Sequence, residues 1–185
     1  CNACVPVRVS CADFKPGRSF RRIQAKNDDI VRSIVPASAT QEQFQLFSTY
    51  QDARHGNGDM ARMDARDYRA MVEDSTIDTS IFEYRRPDGS LIAVALVDNL
   101  SDGLSAVYSF FDPKEHKRCL GTYIILDLIA EAQAFEFPHI YLGYWISDCR
   151  KMSYKMRFQP LEGFKNGRWE IMSEDATQAR PNGSS

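Results

Sequence analysis

The chain has 185 residues, 43% of them hydrophobic and 26% charged, a globular composition that excludes an intrinsically disordered chain. Its net charge of −2 at pH 7 excludes nucleic-acid binding through a global positive field, so phosphate contacts must come from local patches. No run approaches the ~18 uninterrupted apolar residues of a membrane helix, no leader of a secreted protein opens the chain, and an odd number of cysteines, five, points to a reducing, cytoplasmic setting.

Residues 1–36 read as irregular and basic, carrying Arg8, Lys15, Arg18, Arg21, Arg22, Lys26 and Arg32. Val5–Val9 alternates as a strand would, and Pro6 assigns it to a sheet edge or a loop. Thr40 and Gln43 have capping-box spacing and start a helix whose apolar face is Phe44, Leu46, Phe47 and Tyr50. Arg54–Asp59 is a turn-rich loop, and Ala65–Glu73 predicts a second helix. Ser80–Arg86 predicts a strand entering the turn Pro87-Asp88-Gly89; the apolar run Leu91–Val97 predicts a buried central strand; Leu104–Phe111 predicts a third, ended by Asp112-Pro113. Leu120–Phe135 then predicts a long amphipathic helix, His139–Trp145 a strand, Cys149–Arg157 a short basic helix and Arg168–Met172 a last strand, ahead of a polar, frayed tail from Glu174 to Ser185.

This order predicts an α+β fold, or α/β with a mixed sheet. A strand, a loop opening a long helix and a further strand form the heart of the GNAT acyltransferase architecture. The expected organisation is an N-terminal cysteine-containing basic region over residues 1–36, a GNAT-like domain over 37–173 and a tail over 174–185.

Four constellations carry chemical meaning. Arg118-Cys119-Leu120-Gly121-Thr122-Tyr123 opens the long helix where acetyltransferases of this fold cradle a pyrophosphate on helix N–H groups. Tyr123 stands where those enzymes keep a small residue, which reads as the fold without its acetyl-CoA site; a plain helix cap with Gly121 at a tight contact is the alternative. Arg150, Lys151, Lys155 and Arg157 fall within eight positions around Tyr154, a spacing whose like-charge repulsion an anion would relieve, although a solvated basic face gives the same pattern. Arg18, Arg21 and Arg22, flanked by Phe14 and Phe20, suit an RNA end or a basic loop. Cys1-x-x-Cys4 supplies two metal ligands where four are needed, Cys11 being a further candidate. His55, alone in its loop, and Cys149, with no histidine nearby in sequence, give no nucleophile–base pair.

Several stretches resemble the arginyl-tRNA–protein transferase family, above all its bacterial aspartate/glutamate leucyltransferase branch. They are ACVPVRV (Ala3–Val9), FKPGRSFRR (Phe14–Arg22), RHGNGDMA (Arg54–Ala61), LVDNLSDGLSAVYSFFDP (Leu96–Pro113), LGTYIILDLI (Leu120–Ile129) and the long segment YLGYWISDCRKMSYKMRFQPLE (Tyr141–Glu162). The chain departs from the family at Gly17 and Cys119, where serine is usual, and at Phe20, where glutamine is usual. The family begins earlier, with a cysteine-bearing segment, so the resemblance makes Cys1 and Cys4 half of a cluster that related members use for an iron–sulfur cluster or zinc.

The resemblance implies transfer of leucine, with arginine as the alternative, from charged tRNA to the α-amine of proteins beginning with Asp or Glu, marking them for N-degron degradation. No cofactor is required for that chemistry. Asp98, ending a buried strand, is the candidate for holding the incoming ammonium; Tyr108, Ser109 and Tyr144 are candidates for stabilising an oxyanion or relaying the proton, with turn and core roles as the alternative. Arg150, Lys151, Lys155 and Arg157, with Arg18, are assigned to the acidic N-terminus, and Arg21, Arg22 and Lys26 to the tRNA, assignments that can be exchanged because arginine suits carboxylate and phosphate alike. An acyl-CoA N-acyltransferase and a non-catalytic RNA- or N-degron-binding module remain the competing classes.

Overall fold

The computed structural model describes residues 4–55, 62–147 and 149–173. Its elements in chain order are β1 (Val5–Ser10), α1 (Arg18–Lys26), β2 (Val31–Pro36), α2 (Gln41–His55), α3 (Ala65–Glu73), β3 (Thr79–Arg85), β4 (Leu91–Leu100), β5 (Gly103–Phe111), α4 (Leu120–Ala134), β6 (His139–Trp145), β7 (Leu161–Lys165) and β8 (Arg168–Ile171). Two 3₁₀ helices, Pro113–Arg118 and Arg150–Arg157, stand before α4 and after β6. The predicted Arg54–Asp59 loop lies largely outside the described residues, as does the predicted frayed tail.

The strands form one eight-stranded sheet in the order β2-β3-β4-β5-β6-β1-β7-β8. Every pairing is antiparallel except β5 with β6, so the fold is α+β with a mixed sheet. Local chemistry sets the helix starts. Thr40 and Gln43 exchange side-chain-to-backbone bonds as a capping box at α2, and Asp64 with Asp67 does the same at α3.

The strand β4 explains its own continuous apolar run. Val94 and Leu96 face one layer with Phe47 and Tyr50 of α2 and Tyr68 and Val72 of α3. Ala93, Ala95 and Val97 face the other, with Ile124, Ile125, Leu128 and Ile129 of α4. A strand covered on both sides has no polar face to show.

The structure corrects the reading of the first 36 residues as irregular. Two of its strands and α1 come from them. β1 is an inner strand, not an edge, lying between β6 and β7. Pro6 is tolerated because the β6 register slips between Pro6 and Arg8 and β7 joins only from Val7 onward, so its missing N–H breaks no bond to β7. α1 carries four basic residues among its nine, and its one buried residue, Phe20, stacks on Phe158 at 4.9 Å. β7, which pairs with β1 and β8, is a further strand that the local sequence pattern does not mark.

Candidate active site

The parallel pair β5–β6 is short: only Gly103–Ser105 pairs with His139–Tyr141. Gly103 is required there, since a Cβ would stand 2.1 Å from the His139 carbonyl oxygen. Beyond this junction β5 continues beside β4, and β6 beside β1. A cleft of about 790 Å³ opens among the end of β5, the start of α4, the end of α2 and the 3₁₀ helix Arg150–Arg157.

Its apolar wall is made by Phe111, Leu120, Ile125 and Met152, with Tyr50, Tyr108 and Tyr154 around it. Its polar groups include Arg54, Ser109, Glu115, His116, Lys151 and Lys155. Gly121 lets α4 approach β5 closely, because a Cβ would meet the Phe111 ring at 3.2 Å. The Tyr123 ring does not project into the cleft lining; it packs 6.0 Å from the Tyr84 ring beneath α4. The expectation that Tyr123 obstructs the helix mouth is therefore corrected: side chains one position apart on a helix point about 100° apart, and this one points to the core.

Tyr108 and Ser109 both line the cleft. Gln51 Nε2 donates to the Tyr108 hydroxyl at 2.7 Å, which leaves the phenolic hydrogen to point elsewhere. Burial raises the Tyr108 pKa, so the phenol keeps its proton at neutral pH and is a donor, not a base. Asp98 and Tyr144 do not line the cleft. Asp98 lies near the β4–β5 turn and accepts from Thr79 Oγ1 at 2.7 Å. The Tyr144 side chain is 57% exposed at the end of β6, which brings its carbonyl but not its ring to the site.

The basic cluster is divided by the fold. Lys155 is buried and donates from Nζ to the carbonyls of Leu142, at 2.7 Å, and Tyr144, at 2.6 Å. Burial lowers its pKa. Lys151 is exposed and lines the cleft, whereas Arg150 is exposed outside that lining. Arg157 sits over the Phe20 ring at 5.0 Å, which puts it beside α1 and the exposed Arg18, Arg21, Arg22 and Lys26. Arg118 does not face a ligand: it is paired with Asp29 and Glu115.

Cys4 is exposed, Cys1 lies outside the described residues, and Cys11 is buried. Among the described residues no group of three or more His, Cys, Asp or Glu side chains is placed to hold a metal. Sequence reasoning missed Arg54, Tyr50 and His116 as cleft residues. The only local signal was the i, i+4 spacing of Tyr50 and Arg54 on α2, which sets them on one face without saying what that face meets.

Residues 42–165 match the family described as Arginine-tRNA-protein transferase, C terminus. The chain is 56% identical over 169 residues to an aspartate/glutamate leucyltransferase of Parvibaculum lavamentivorans, covering 91% of this chain and 70% of that one. It is 54% identical over 170 residues to that of Paramagnetospirillum magneticum, covering 92% and 70%. Among solved structures it is similar to L-PGS from Bacillus licheniformis, with TM-score 0.57 and 11% identity over 77% of this chain and 45% of that one. It is also similar to a conserved protein of unknown function from Bacteroides thetaiotaomicron, with TM-score 0.59 and 14% identity over 89% and 61%. At such identities these two likenesses concern the fold alone.

Proposed function

The chain belongs to the arginine-tRNA–protein transferase family, and on that premise we propose that it transfers leucine from leucyl-tRNA to the N-terminal α-amine of proteins beginning with Asp or Glu, committing them to N-degron degradation. The observation that carries this reading is the identity of more than half the aligned residues with aspartate/glutamate leucyltransferases over nearly the whole chain. The cleft agrees with leucine: its wall is apolar, and its one described carboxylate, Glu115, is engaged by Arg86 and Arg118, leaving no free acid for an arginyl side chain.

The reaction joins the target's amine nitrogen to the ester carbonyl carbon, breaks the bond to the tRNA ribose oxygen, and moves one proton from nitrogen to that oxygen. The ester is activated, so orientation supplies much of the rate. An α-amine has a pKa of about 8, so roughly a tenth is neutral at pH 7 and its surplus proton must be removed. Tyr108, protonated and already accepting from Gln51, donates to the developing oxyanion. Ser109 lines the same wall and assists by hydrogen bonding. Lys155 holds the 3₁₀ helix against the end of β6 and so fixes the width of the cleft. Asp98 and Tyr144, which do not line the cleft, are kept as candidates for orienting the incoming protein outside it.

Arg18, Arg21, Arg22 and Lys26 on α1, with Arg150 and Arg157, form the basic surface proposed for the tRNA acceptor end or the acidic target, and Lys151 meets the target within the cleft. A GNAT-like arrangement is the finer description of the domain, supported by the β5–α4–β6 unit and the cleft beyond its short parallel pairing. Residues 1–36 stay proposed as the cysteine-containing basic region, 37–173 as the catalytic domain and 174–185 as a tail, with the strands of the first region laid into the sheet of the second. No cofactor enters the chemistry. Cys1 and Cys4 are proposed as part of an iron–sulfur or zinc site in the full-length protein; Cys11 is left out of it, because its thiol is buried in the core whereas Cys4 is exposed. No helix among the described residues is long and apolar enough to cross a membrane, and a cytoplasmic setting is proposed.

A second reading, acyl-CoA transfer, keeps some support because Tyr123 leaves the start of α4 open to the cleft. The deciding experiment supplies peptides starting in Asp or Glu with tRNA charged with labelled leucine or arginine, and separately with labelled acetyl-CoA. Label passing from leucyl-tRNA is expected; label from acetyl-CoA alone would replace the reading.

A further inference from the structure

The cations that line the cleft are not equivalent. Lys155 is committed to two backbone carbonyls, which leaves Arg54 and Lys151 as lining cations with no carboxylate in ion-pair distance among the described residues. Arg54 is held differently from Lys151. Its guanidinium carbon lies 5.2 Å from the ring centroid of Phe111 and 5.7 Å from that of Tyr50. Phe111 ends β5 and Tyr50 stands one turn earlier on α2, so two separate elements set the position of the fork before any ligand arrives. Its N–H groups meet no acceptor among the described residues.

We propose that Arg54, with Lys151 as its second cation, binds the side-chain carboxylate of the Asp or Glu that begins the acceptor protein. This rests on the transferase reading above and names the residue that reads the acceptor. A carboxylate presents two oxygens to a guanidinium and takes two parallel hydrogen bonds. A carboxamide presents one acceptor and turns an NH₂ group toward other donors, so the same fork separates Asp and Glu from Asn and Gln. The side chain of Arg54 is exposed on an open wall and not sealed in a pocket, which accommodates a carboxylate one methylene nearer or farther. The donor is a poorer match for this position, since the leucyl ester has no carboxylate to offset its ammonium beside two cations, whereas the acceptor brings one.

The test measures initial rates of leucyl transfer by the full-length protein with Asp-, Glu- and Asn-starting peptides, for wild type, Arg54→Ala and Arg54→Lys, alongside titration calorimetry of the same peptides. Arg54→Ala is expected to raise KM for the Asp and Glu peptides ~10–100-fold, the range for losing a hydrogen bond to a charged group. KM for leucyl-tRNA should stay within about twofold, and Arg54→Lys should recover part of the loss. A KM effect confined to leucyl-tRNA would overturn the proposal in favour of a phosphate contact. Gain of transfer from arginyl-tRNA would overturn it in favour of a donor-side role, and unchanged KM for the acidic peptides would overturn it outright. If wild type transfers no leucine at all, the transferase reading fails. Calorimetry then decides Arg54 by itself: Asp peptide bound more tightly than Asn peptide by wild type, with the difference lost in Arg54→Ala, keeps the site; equal binding removes it.

Discussion

The ammonium of Lys155 donates to the backbone carbonyl of Tyr144 at 2.6 Å, fastening the basic 3₁₀ helix to the end of β6. Lys155→Met removes both this bond and the one to Leu142, leaving two carbonyls to find other partners. Urea unfolding should show a loss of about 1–3 kcal/mol at neutral pH. Burial lowers the Lys155 pKa, so the unfolded chain holds that proton more tightly than the folded one. Folding therefore releases a proton in the window between the lowered value and the ordinary 10.5, and the wild type gains stability relative to Lys155→Met as pH rises through it. A gap that narrows with rising pH would contradict the assignment.

Tyr108→Phe separates donation to the oxyanion from simple packing. The ring contacts with Phe47 and Phe110 remain, while the hydroxyl that Gln51 addresses is lost. Single-turnover leucyl transfer should slow about 100-fold, the loss typical of one oxyanion donor. A rate equal to wild type would return Tyr108 to the core.

Gly103→Ala tests the junction from which the cleft opens. A Cβ at 2.1 Å from the His139 carbonyl oxygen cannot be accommodated without moving one strand. Denaturant titration should report a loss of about 2–4 kcal/mol, in the range of overpacked cores. Near-wild-type stability would mean that β5 and β6 are not locked together there.

Thiol alkylation should follow burial. Cys4 and Cys119 are exposed, whereas Cys11 is buried and its pKa is pushed up to about 11. Thiolate is the reactive form, so iodoacetamide at pH 8 should label Cys4 and Cys119 in the native protein and leave Cys11 unmodified until the chain is unfolded. Mass spectrometry of the digested protein reads this directly, and early labelling of Cys11 would refute its place under the sheet.

What the sequence reveals divides by range. α3 occupies Ala65–Glu73 and β6 His139–Trp145, as their patterns predict, and the Thr40–Gln43 capping box forms as its spacing implies. Each of these rests on residues within a turn or a pleat of one another. α1 escaped because only Phe20 and Ile23 mark its apolar side, too few to stand out among Arg18, Arg21, Arg22 and Lys26. β2 and β7 escaped because short strands take their identity from partners elsewhere in the chain.

The sequence by itself determined the family, the local element patterns and the supply of cations near the end of the chain, because those depend on residue identity and short spacing. The tertiary structure decided that β1 is an inner strand, that Lys155 is held by backbone carbonyls, and that Arg54 meets Phe111 across the cleft. A charge pattern records which side chains are cationic; whether a cation remains available depends on which carbonyls, rings and carboxylates the packed fold brings to it.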